Sequence, residues 1–105
     1  YDIATSALSE LSISGTIASC RSYSYSSTAT KIKVEQTLQK KSFLFWNDVS
    51  NAAWTKTVNT RVIDFTNSKS NLSSGTYRLM SVFTLTNSNG EIETITVYSN
   101  EKIIS

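Results

Sequence analysis

The sequence predicts an all-β domain: an antiparallel immunoglobulin-like or fibronectin-III-like β-sandwich of seven to eight strands. Three observations carry this expectation. β-Branched residues are abundant, with 9 Ile, 6 Val and 14 Thr among 105 residues, a composition that fits a pleated sheet. Apolar residues recur at every second position along much of the chain, and no long stretch keeps the i, i+3, i+4, i+7 spacing of an amphipathic helix. Turn-like clusters return about every 8–14 residues, the rhythm of short strands in a sandwich.

Taken in order, Leu11, Ile13 and Ile17 alternate with polar residues around Ser14-Gly15-Thr16, which reads as a hairpin turn. Past it, Ala18, Cys20 and Ser22 share one face, and Tyr23 and Tyr25 fall on the other. Residues 31–39 form the cleanest strand, with Ile32, Val34, Gln36 and Leu38 facing inward. Gln36 is the odd member, because a buried amide needs partners. Residues 42–53 are the least regular: Phe43, Leu44, Phe45 and Trp46 make an apolar run that Asn47-Asp48 ends. Trp54, Lys56 and Val58 resume the alternation, and Ile63 and Phe65 share a face. Residues 67–74 are polar and turn-like apart from Leu72. Tyr77, Leu79, Ser81, Phe83 and Leu85 form the longest alternating strand. Asn87-Ser88-Asn89-Gly90 turns the chain into a return strand with Ile95 and Val97, and Ile103-Ile104 closes it. There is no internal repeat and no linker, so residues 1–105 are expected to be one domain.

The segment Leu72-Ser73-Ser74-Gly75-Thr76-Tyr77 narrows the fold further. In immunoglobulin-like sandwiches a Tyr near the start of strand F packs its ring in the core and bonds its hydroxyl back to the backbone. Tyr77 fits that role, with Leu72 plugging the corner and Gly75 allowing the tight entry. Trp54 is the expected core Trp.

Composition excludes several chemistries. The chain has no His and one Cys, so a His-based triad, a His metal site and an internal disulfide are ruled out. The net charge is +2 with no dense Lys/Arg stripe, which argues against nucleic acid as a partner. No window approaches the roughly 18 apolar residues of a membrane span. Low charge, abundant Ser, Thr and Asn, and a start at Tyr1 instead of Met are read as an exported, processed bacterial protein.

Several motifs also resemble a known group. They are Ile17-Ala18-Ser19-Cys20, Thr37-Leu38-Gln39-Lys40-Lys41, Trp46 with Trp54-Thr55-Lys56-Thr57-Val58-Asn59, Leu72 to Arg78, and Asn89 to Thr94 with Val97-Tyr98-Ser99. In this order and spacing the chain resembles the small secreted proteins of unknown function from gut Clostridia and other Firmicutes. That resemblance implies an exported β-sandwich and no particular activity. The chain departs from the pattern at Ser6, where a second Cys is expected, at Gln36, and in the apolar run 43–46.

Each candidate site has a plainer reading. Cys20 lacks a base to activate it and reads as a buried small residue. Glu91 and Glu93 lie two apart on one strand, but paired Glu on a sheet edge usually guards that edge. Asn87–Gly90 has too few carboxylates for a calcium loop, and Asn71-Leu72-Ser73 matches a glycosylation sequon by pattern alone. Aromatic side chains carry the best binding expectation: Tyr23, Tyr25, Phe43, Phe45 and Trp46 form the candidate contact surface. For Phe45 and Trp46, core packing or weak self-association competes with ligand contact. The chain is therefore expected to be a secreted or cell-surface, non-catalytic binding or structural module, without cofactor or metal, whose partner is a protein or glycan. A carbohydrate-binding module is the alternative.

Overall fold

The computed structural model describes residues 1–105. Eight strands follow in chain order: β1 (Ser6–Ser14), β2 (Ile17–Tyr25), β3 (Ala29–Ser42), β4 (Phe45–Val58), β5 (Val62–Lys69), β6 (Gly75–Asn87), β7 (Ile92–Tyr98) and β8 (Lys102–Ile104). They form two sheets. One has the order β1-β2-β5; the other has the order β4-β3-β6-β7, with β8 pairing the start of β6. All pairings are antiparallel. The result is an immunoglobulin/fibronectin-III-like β-sandwich.

Alternation explains the packing. On β3, Ile32, Val34, Gln36 and Leu38 lie opposite Leu85, Phe83, Ser81 and Leu79 of β6, and all eight are buried. Ala18, Cys20, Ser22 and Ser24 of β2 face them from the smaller sheet and are buried too. Small residues on this side let the sheets approach closely over the larger side chains of β3 and β6.

The core is not one apolar mass. A first cluster includes Ile32, Val34, Ile63, Phe83 and Leu85. A second includes Leu11, Cys20, Leu38, Leu72, Tyr77 and Leu79. Polar side chains cross the sandwich between them. Gln36 Nε2 donates to Ser22 Oγ at 2.8 Å, and to the carbonyls of Phe65 and Cys20 at 3.0 and 3.2 Å. Asn67 Nδ2 donates to Gln36 Oε1 at 2.8 Å. Ser22 and Ser81 share a 2.6 Å hydrogen bond, Ser81 donates to Ser9 at 2.9 Å, and Ser9 donates to the Leu79 carbonyl at 3.1 Å. No buried side-chain nitrogen or oxygen lacks a partner, so this belt avoids the cost of an orphaned polar group.

The corner geometry is present: Tyr77 is buried and its hydroxyl donates to the Ser73 carbonyl at 2.7 Å. Leu72 is buried beside it. Gly75 has φ +155°, and a Cβ there would meet the Lys40 side chain at 2.5 Å. Trp54 is only half-buried. It sits on β4, an edge strand of its sheet, and packs its inner side against the second cluster. Tyr77 and Phe83 are the aromatic side chains fully enclosed in the core.

Residues 42–53 differ from their irregular sequence pattern. β3 and β4 form a long hairpin in which Ser42 pairs directly with Phe45. The irregularity is confined to one place: Thr37 pairs with Ala53 and Gln39 with Asp48, leaving Val49–Ala52 opposite Leu38 alone. This bulge turns Ala52 into the core and brings Val49 against the second cluster.

Candidate functional site

The 14-residue β3 at about 3.3 Å per residue spans about 46 Å, close to the 47 Å length of the molecule, and β4, shortened by its bulge, runs beside it from Ser42 to Ile32. The last pairing of β3 with β6 is Lys40 with Tyr77, so the hairpin end projects past its neighbour. Its two-residue turn is Phe43-Leu44. Phe43 has φ +54°, at a turn position where Gly or Asn is strongly preferred. A bulky side chain held there costs on the order of 1–2 kcal/mol. Phe43, Leu44 and Phe45 are 93%, 89% and 72% exposed, so nothing within the molecule covers them.

Trp46 lies on the outer face of the larger sheet. The Arg78 guanidinium stacks over its ring at 4.3 Å and over the Tyr98 ring at 4.1 Å. Lys41 Nζ lies 6.0 Å from the same Trp46 ring. Arg78 Nε donates to Gln39 Oε1 at 2.8 Å, and Gln39 Nε2 donates to Asp48 Oδ1 at 3.0 Å. This row crosses β7, β6, β3 and β4. The Arg78 guanidinium occupies ring area of Trp46 that a sugar would otherwise stack on.

Next to it, an open cleft of about 450 Å³ lies between the hairpin end, the end of β5 and the tyrosine corner. Lys40, Lys41 and Lys69 line it, together with Asp48, Asn71 and Ser73. Lys40 Nζ donates to Ser73 Oγ at 2.7 Å and lies 5.7 Å from the Tyr77 ring centre. The corner therefore fixes one wall of the cleft.

The expected contact residues do not form one surface. Tyr23 is half-buried and Tyr25 is 38% exposed. Both lie on the outer face of the smaller sheet, away from Phe43, Phe45 and Trp46. There Arg21 stacks over Tyr23 at 5.5 Å and binds Glu10 and Asp64 at 2.7 and 2.9 Å. The Arg21 hydrogen bond holds the Asp64 carboxyl below its ordinary range.

Glu93 faces inward from β7 and accepts backbone N–H groups of Asp2, Ile3 and Ala4 at 2.7, 3.0 and 3.0 Å. Those hydrogen bonds, from Ala4 foremost and then Asp2, lower its pKa. Glu91 instead accepts from Asn87 Nδ2 at 2.9 Å within the β6–β7 turn. Burial pushes the Cys20 thiol up to about 12. No group of three or more His, Cys, Asp or Glu side chains converges to hold a metal ion. No helix is long and apolar enough to cross a membrane.

Sequence reasoning missed Leu44, Arg78, Tyr98 and the three cleft lysines as a set. The basic pair Lys40-Lys41 beside an apolar run was the available signal.

The fold defines the class, an immunoglobulin/fibronectin-III-like sandwich. No family model matches the chain, and no curated protein matches it in sequence. Among solved structures it is similar to part of wild-type OgpA from Akkermansia muciniphila, with a TM-score of 0.49 and 10% identity. That similarity covers 100% of this chain and 31% of the other, so this chain spans about a third of that protein's length.

Proposed function

We propose that the chain is a non-catalytic contact module, exported by a bacterium, that engages its partner through the hairpin end of β3 and β4. The exposed Phe43-Leu44-Phe45 tip carries this reading. A turn that keeps Phe at φ +54° holds apolar area outward at a conformational cost, which an outside contact would offset. The use of the carboxylates supports the non-catalytic part. Glu10 and Asp64 share Arg21, Glu35 lies beside Lys33, Asp48 accepts from Gln39, and Glu93 holds the N-terminal backbone. Composition supports export, as does the motif resemblance to small secreted Firmicutes proteins.

A glycan partner is the second reading, favoured by Tyr23 and the exposed Tyr25 on one face of β2. Labelled protein added to intact bacterial cells and to a glycan array separates the two. The first reading expects cell binding that Phe43→Asn/Leu44→Gly weakens about tenfold or more and Tyr25→Ala leaves unchanged. Glycan retention lost with Tyr25→Ala supports the second. Binding indifferent to the tip variant overturns the hairpin end as the contact surface.

A further inference from the structure

We propose that the hairpin end docks on an anionic phospholipid surface. A lipid phosphate would sit in the lysine cleft, and the Phe43–Phe45 tip would lie among the headgroups and upper acyl chains. The proposal rests on the reading above that this end is the contact surface, and it names the partner.

Charge placement is the first argument. The chain has ten Lys and Arg against eight Asp and Glu. Three of those cations and one of those carboxylates line the cleft. Setting them aside leaves seven of each sign elsewhere, so the whole +2 excess is gathered at this end. The ion pairs of the molecule join Arg21 to Glu10 and Asp64, and Lys33 to Glu35. None uses a cleft lysine. Asp48, the one carboxylate in the lining, accepts from Gln39 and forms no ion pair with these lysines. No ion pair within the protein neutralises these ammonium groups: Lys40 is held over the corner by Ser73, Lys69 lines the cleft at the end of β5, and Lys41 carries its ammonium at the rim, 6.0 Å from the Trp46 ring.

Shape is the second argument. The tip is convex and narrow, a two-residue turn at the end of a projecting hairpin. A folded protein partner would need a matching apolar socket. A bilayer needs none, because apolar side chains partition into the headgroup and acyl boundary while adjacent Lys ammonium groups meet lipid phosphates. A second copy of this chain fits poorly. Its own hairpin end carries the same cations, and the rest of its surface has no net acidic charge to meet them.

The test measures co-sedimentation with vesicles of phosphatidylcholine alone and of phosphatidylcholine with about one third phosphatidylglycerol. Wild-type protein should bind the anionic vesicles about tenfold or more tightly than the neutral ones, and added salt should weaken that binding. Phe43→Asn/Leu44→Gly should lose about tenfold or more. Lys41→Gln/Lys69→Gln should lose several-fold, and Lys31→Gln, outside the cleft, should bind as wild type. These substitutions are on exposed or half-buried positions, and an unchanged or raised Tm confirms folding.

Equal loss in Lys31→Gln would mean general charge attraction and overturns the cleft. Inorganic phosphate that perturbs the amide resonances of Lys40 to Ser42 and Ser73, without vesicle binding, points to a soluble phosphate ligand and overturns docking. Absence of binding to either vesicle also overturns it. If tip-dependent binding to cells persists in that case, the contact-module reading survives; if it is lost as well, both fail.

Discussion

The middle of the core and the hairpin end break the same rule in opposite directions. Between the two apolar clusters, polar groups sit where a sandwich should be dry. At the hairpin end, apolar groups sit where it should be wet. The core belt is compensated inside the molecule: Gln36 alone has hydrogen-bond partners on β2 and β5, and every buried side-chain nitrogen and oxygen has one. The tip is not, since nothing in the fold covers Phe43, Leu44 or Phe45. A violation that is satisfied internally belongs to folding specificity. One that is left unsatisfied points outside the molecule.

The largest effect on stability is expected from Gln36→Leu. Removal of the amide leaves Asn67 Nδ2 without its acceptor and takes a donor from the Cys20 and Phe65 carbonyls. The expected loss is about 2–4 kcal/mol of unfolding free energy, read from chemical denaturation. A companion Gln36→Leu/Asn67→Leu variant should recover part of that loss, because it removes both members of a pair. A Gln36→Leu protein as stable as wild type would mean that the belt contributes nothing.

At the tip the sign reverses. Phe43→Asn/Leu44→Gly replaces a strained turn with one that adopts positive φ readily. Phe43 alone of the pair has positive φ, so Phe43→Asn should gain about 1 kcal/mol, part of which Leu44→Gly gives back in backbone entropy; Tm should hold or rise while the proposed contact is removed. Equal or higher stability with lost binding would show that the wild-type turn is kept for contact. Lower stability would mean that the aromatic tip packs on the fold after all.

These two regions also differ in how far the sequence reveals them. Alternation on β3 and β6 makes their inward faces readable, and Gln36 stands out because it interrupts an apolar face. Its partners do not, since Ser22, Phe65 and Asn67 meet it only through the packing of two sheets. The corner is legible because Leu72, Gly75 and Tyr77 are local in sequence. By contrast, Phe43-Leu44 carries none of the Gly or Asn chemistry that signals a tight hairpin, so the apolar run reads as an irregular loop. The Val49–Ala52 bulge hides the register of β4 in the same way. The cleft joins Lys40 and Lys41 to Lys69 and Ser73, and the Arg78 stack joins Trp46 to Tyr98. Both depend on strand order and register, which alternation alone does not determine.

Tyr77→Phe sharpens the boundary between core and cleft. The variant keeps the ring in the second cluster and removes only the hydroxyl that donates to Ser73. About 1 kcal/mol should be lost. Because Lys40 Nζ bonds Ser73 Oγ, binding by the cleft should also weaken slightly. A stability loss with unchanged binding would separate the corner from the cleft.

The smallest effect concerns Glu93, a charge turned inward from a strand. Like Gln36, it is satisfied by the protein itself, through the amides of Asp2, Ile3 and Ala4. Those bonds lower its pKa from the ordinary 4.5, so the folded state binds this proton less readily than the unfolded chain does. Its stabilisation is therefore complete above the ordinary value and is lost as pH falls through the lowered folded value. Because the carboxylate is partly exposed, solvent screens it and the loss is small. What should change visibly is local: Ile3, which packs in the first cluster, should loosen before the sandwich unfolds. Hydrogen exchange at Asp2, Ile3 and Ala4 should accelerate as pH falls below 4.5, beyond the intrinsic pH dependence, and Glu93→Gln should remove that acid step. If the step persists in Glu93→Gln, the N-terminal segment is held by apolar packing alone, and the inward carboxylate is not its clamp.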